Sequence, residues 1–161
     1  MEDTRVIEEF ENSWAYVRGM RDALISCVPD DRWAFSHHVK FAPIVKQFKH
    51  VAKVYGCYID GLATRKLDMS KKPQMFSGPE TKENVLAVLH AHDKRLSEVL
   101  ASCRKTGLTD VTVELFGMKM GFSEYTHVMI HHDVSHFGIW ANYAAFGGFE
   151  TPETWRQDWK L

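Results

Sequence analysis

The chain is short of most features that would place it in a functional class. It has three cysteines, Cys27, Cys57 and Cys103. An odd number without tight spacing excludes a disulfide framework and fits a reducing compartment, so a cytoplasmic location is expected. Net charge is nearly absent: 20 basic against 21 acidic residues leave −1. No overall field therefore draws in nucleic acid or an anionic membrane, and neither is expected as a partner. No apolar run approaches the roughly 18 residues of a membrane span. The opening residues, MEDTRVIEEFENSW, are acidic and amphipathic, unlike a signal or transit peptide. There is no internal repeat, no low-complexity tract and no credible domain boundary. The HExxH motif of zinc proteases is missing too.

What remains is an ordinary globular composition, 45% hydrophobic and 25% charged over 161 residues. This length suits one domain, residues 1–161, with a core large enough to need no staple. Helical spacing dominates. Val6, Phe10, Trp14, Val17, Arg21 and Leu24 mark a helix from about Thr4 to Cys27, with Asp3 or Thr4 as its cap. Phe41, Phe48, Tyr55 and Leu62 recur every seven residues and predict a second helix from about Phe41 to Leu62. His50 lies off that seam, on a face with Val54 and Cys57. A long polar connection follows, broken by Pro73, Gly78 and Pro79. Val85, Leu89, Leu96 and Leu100 predict a third helix, Thr81 to Lys105, stopped by Gly107. Asp93 falls amid its apolar spacing. Residues 111–121 alternate like a short extended piece. Ser123 is the expected cap of a last helix reaching Phe146, and Trp155 and Trp159 suggest a helical turn in the tail. The sum is an all-α four-helix bundle with one long connection and a C-terminal tail.

Nine histidines are the conspicuous excess. His37 and His38 read as loop or cap residues, and His90 and His92 as exposed structural ones. The last helix carries four more. Tyr125, Met129, His132, His136, Ile139, Tyr143 and Phe146 track one expected buried face. His132 and His136, four apart, stack one turn above the other. HxxxH on a helix supplies two ligands to one ion, and a third from a facing helix leaves positions open, as in catalytic sites. His127 and His131 have the same spacing on another face. Hydrogen-bonded core or surface histidines are the competing reading of both pairs. Asp133, next to His132, is expected not to share its face.

Three stretches carry a family resemblance: FAPIVKQFKHVAKVYGCYIDGL, HVMIHHDVSHFGIWANYAAFGG and the terminal ETPETW. With them the chain resembles the DinB-like (damage-inducible) superfamily, which also holds the metal-dependent bacillithiol and mycothiol S-transferases. The resemblance spans nearly the whole length. It implies an up-down-down-up four-helix bundle and a divalent metal, zinc or nickel, on His50, His132 and His136. It further implies a low-molecular-weight thiol, a small-molecule substrate and a homodimer. Just past His136 the chain departs from the commoner family pattern. It reads His136-Phe137-Gly138-Ile139 where H-R-G-Q is frequent, and Tyr143-Ala144-Ala145 where Tyr-Leu-Arg is. Two chemistries suit such a site, thiol transfer to an electrophile and hydrolysis. Tyr143 is a candidate donor to a developing anion, against a core tyrosine with a satisfied hydroxyl. Trp140 is a candidate pocket wall, and Cys57 a candidate neighbour of the ion, against a plain buried cysteine. A non-catalytic, stress-associated metal-binding dimer is the alternative.

Overall fold

The four apolar stripes form four long helices that share one core. The computed structural model describes residues 2–70, 76 and 78–160; Pro73, expected to break the long connection, lies outside them. The helices are α1 (Glu2–Cys27), α2 (Ile44–Thr64), α3 (Lys82–Thr106) and α4 (Phe122–Gly147), with a short α5 (Glu153–Trp159) after them. A hairpin of β1 (Thr112–Leu115) and β2 (Met118–Gly121) precedes α4, so the alternating segment is indeed extended. Phe116 and Gly117 turn it, both with positive φ, as a two-residue hairpin loop requires.

Helix α1 packs on α3 and α4, and α2 packs on the same two. Cross-helix pairs give the directions. Phe10 meets Phe122 and Arg21 meets Asp133, so α1 and α4 run the same way. Phe48 meets Trp140 while Tyr58 meets Tyr125, so α2 runs against α4. Glu11 pairs with Arg104 and Arg21 with Asp93, so α3 runs against α1.

Several ends differ from the sequence expectation. Helix α2 starts at Ile44 rather than Phe41, because Pro43 disfavours helix in the residue before it and is itself suited to a helix start. Phe41 consequently sits before the helix, half exposed. Asp3 is inside α1, and its carboxylate accepts the Leu108 N–H at 2.9 Å, fastening the turn after α3. Ser123 is not the cap of α4. The helix begins at Phe122, and Glu124 reaches back to accept the Gly121 N–H at 2.9 Å. Thr81 does cap α3, accepting from Asn84 N–H at 3.2 Å. The tail docks as expected: Trp155 is fully buried and its indole N–H donates to the Met20 carbonyl at 2.9 Å. No helix of the described residues is long and apolar enough to cross a membrane.

Candidate metal centre

Helices α2 and α4 are pinned to each other at two levels. Near the start of α4 the Tyr125 hydroxyl donates to the Tyr58 carbonyl at 2.9 Å. Farther along, Trp140 lies edge-on to Phe48, ring centres 4.9 Å apart. Between these ties, His50 of α2 faces His132 and His136 of α4. Their ring centres are 5.4 and 5.2 Å from that of His50, and 4.8 Å from each other. One ring nitrogen from each of the three lies within 4.8 Å of the others, close enough to hold a metal ion.

The fit to a metal can be tested on one distance. Two imidazoles bound at about 2.0–2.1 Å in a tetrahedral sphere place their nitrogens about 3.3 Å apart. Nε2 of His50 and Nε2 of His132 are 3.3 Å apart. Nδ1 of His132 faces the Asp133 carboxylate at 3.2 Å. A carboxylate takes a proton donor, so a His132 ring with its proton on Nδ1 would meet Asp133 there and leave Nε2 as the lone-pair atom toward His50. Burial, then the neighbouring rings of His132 and His50, pushes the His136 pKa down to about 4. Burial and His132 also lower that of His50. Both shifts run toward the neutral form that a metal needs, most strongly at His136. Among the described residues no fourth His, Cys, Asp or Glu joins the three. His50 is exposed, so the cluster opens to solvent on the α2 side. The donor set and geometry fit a divalent ion with open positions.

The other named residues fall around this centre. Trp140 is fully buried, with its ring 5.8 Å from that of His136, and forms the wall beyond it. Tyr143 is buried two turns past His136, and its hydroxyl donates to the Ala42 carbonyl. Its proton is engaged in joining α4 to the start of α2. Cys57 is fully buried seven residues past His50, next to Tyr58, whose own pKa is raised by burial and by Asp133 and Cys57. His127 and His131 stack on each other at 4.3 Å on the exposed side of α4. His37 packs between Phe41 and Tyr143, and His38 Nδ1 accepts the Lys40 N–H, as loop residues. His90 is exposed, with Nε2 2.9 Å from an Asp22 oxygen.

One correction concerns α4. Ile139 and Phe146, expected on its buried face, are 39% and 68% exposed. The inner face carries the expected Tyr125, Met129 and Tyr143, and with them Phe122, Asp133, Phe137, Trp140 and Ala144. His132 and His136 sit on its flank, half-buried. Asp133 does not share the face of His132, as expected, but from the inner face, 1% exposed, its carboxylate still reaches the His132 ring.

No family model matches the chain, and neither does any curated protein sequence. Its functional reading therefore stands on the resemblance and on this geometry.

Proposed function

We propose that this chain is a DinB-like, divalent-metal-binding protein whose His50, His132 and His136 serve metal-dependent chemistry on a small molecule. The observation that carries this reading is the 3.3 Å separation of two inward-facing Nε2 atoms on different helices. A third imidazole completes the set, held neutral by burial. The helix directions, α1 and α4 one way and α2 and α3 the other, support the up-down-down-up bundle of that superfamily. Three imidazoles suit zinc or nickel.

A divalent ion there supplies Lewis acidity and lowers the pKa of a water or thiol entering its open positions. The chain's own residues set the stage for this. Asp133 fixes the His132 tautomer, Trp140 closes the side beyond His136, and the exposed His50 edge admits a substrate. The free edge suits transfer from a low-molecular-weight thiol to an electrophile, or hydrolysis. The second reading, a non-catalytic metal-binding stress-associated dimer, draws on Val134, Ile139 and Phe146, which leave apolar surface exposed on α4. In both readings the protein is cytoplasmic and pairs with a second copy.

The test is metal content. Untagged protein reconstituted with zinc or nickel is expected to hold one ion per chain, and His50→Ala, His132→Ala and His136→Ala to hold none. Wild-type protein without stoichiometric metal would sink the reading. A panel of thiols with an electrophilic acceptor, run beside ester and amide substrates, then separates transfer from hydrolysis. Turnover in neither panel favours the non-catalytic dimer.

A further inference from the structure

Directly behind His132 lies a buried charge cluster. Arg21 of α1 is fully buried in the bundle. Around it stand Asp22 at 2.9 Å, Asp93 of α3 at 3.3 Å and Asp133 of α4 at 3.8 Å. Its guanidinium also lies 5.5 Å from the centre of the Tyr55 ring. The Tyr55 hydroxyl donates to Asp93 at 2.7 Å and accepts from the Trp14 indole at 3.0 Å. Burial alone would push the Arg21 pKa down, but the three carboxylates more than offset it and hold the guanidinium charged.

The formal count is one positive against three negative charges, −2 overall with histidine neutral. The carboxylates are not equivalent. Side chains of Asp22 and Asp93 are 25% and 11% exposed, and Asp93 borders a cavity of about 120 Å³, so water reaches both. His90 meets the second oxygen of Asp22 from the solvent side. Asp133 is 2% exposed. Its Oδ2 and the Arg21 Nη1 facing it are both buried without a hydrogen bond, 3.8 Å apart. The driest carboxylate is thus the least well paired, and its other oxygen touches a metal-site histidine. Leaving a buried charge short of a partner is costly, and a nearby cation relieves that cost.

We infer that Asp133, held in place by Arg21, is the positioning residue of the metal site and supplies the negative charge a divalent ion completes. Asp133 fixes the Nδ1–H tautomer of His132 and so aims the Nε2 lone pair at the site. The ion in turn offsets the excess negative charge of the cluster. This rests on the metal-binding reading above and adds the residues that tune it.

The test compares wild type with Asp133→Asn, a change of charge with little change of shape. Zinc affinity is measured by competition with a chromophoric chelator, and melting temperature without metal on the same samples. Asn is expected to weaken zinc binding about 10–100-fold. The metal-free melting temperature is expected to stay or rise, because an under-paired buried charge is gone. A merely structural role moves both quantities down together, and that result overturns the inference, as does zinc binding as tight as wild type. A second measurement needs no variant: nitrogen-15 spectra of the metal-free wild-type imidazoles. His132 protonated on Nδ1 supports the inference, and protonation on Nε2 overturns it. Wild-type protein that binds no zinc refutes the metal reading and this inference together; wild type that binds while Asp133→Asn binds equally refutes only the latter.

Discussion

Helix α4 carries the same HxxxH spacing twice, and the two pairs have different surroundings. His127 and His131 lie with ring centres 4.3 Å apart, His132 and His136 with theirs at 4.8 Å. By local geometry they are near equals. They differ in what stands opposite. The first pair looks out from the bundle. The second is flanked by α2, which brings His50 within reach, and backed by Asp133, 3.2 Å from one ring nitrogen. The first pair offers two imidazoles on an exposed face; the second offers two on a half-buried flank and a third across from them. Spacing along a helix proposes ligands, and the facing element decides which pair becomes a site.

The largest expected effect tests that difference directly. Removing both outer histidines, His127→Ala with His131→Ala, should leave one tightly bound zinc per chain. Removing only His132 should lower affinity by more than about 100-fold, beyond the 10–100-fold attached to an orienting partner. Equilibrium dialysis of the two variants beside wild type checks it. Equal losses from both would erase the distinction between the pairs.

The difference was half legible in the sequence. The helices could be read because their apolar residues recur at helical spacing, and the Thr81 side-chain cap and the Gly107 backbone mark the ends of α3. The rotation of α4 could not be read as well. That helix is apolar on nearly every side, with Val134, Ile139 and Phe146 outside and Phe137 and Trp140 inside. A stripe drawn through Ile139 and Phe146 fits the spacing and misses the true inner face by a fraction of a turn. Asp133 was lost in that error. The signal that could have recovered it is a coincidence of charges. Arg21 sits in the apolar stripe of α1 and Asp93 in that of α3, and a buried guanidinium needs more than one carboxylate. His50 stood off the seam of its helix, so only the resemblance singled it out.

A middle-sized effect concerns how α2 is brought to α4. Gly61 lies where a methyl group would overlap the Tyr125 hydroxyl and stand 3.3 Å from the Leu67 backbone. The helices approach closely here because Gly61 has no side chain. Gly61→Ala should push Tyr125 off the Tyr58 carbonyl and cost about 1–3 kcal/mol in stability. It should also weaken zinc at the three-histidine site, which lies between this tie and the Phe48–Trp140 contact. Chemical denaturation and the chelator competition measure the two effects. Adding Tyr125→Phe should recover part of the lost stability, since the overlapping atom is then gone. An alanine variant as stable as wild type would mean the two helices are not held by this tie.

The smallest effect should come from Tyr143, and it separates holding the site from taking part in its chemistry. Its hydroxyl donates to the Ala42 carbonyl, just before the proline that opens α2. Burial raises its pKa, with Gln47 and Ser36 opposing the shift to a smaller extent. A hydroxyl whose single proton is given to a carbonyl has none left for a substrate. Tyr143→Phe should therefore cost about 1 kcal/mol, the worth of one hydrogen bond. Zinc affinity should be unchanged, because the tie is two turns past His136 and the Phe48–Trp140 contact lies between. Any turnover found in the thiol or ester panels should also persist at the wild-type rate. A variant that folds and binds zinc normally but loses turnover would show that the hydroxyl leaves Ala42 during the reaction. That outcome would move Tyr143 from the frame of the site into its chemistry.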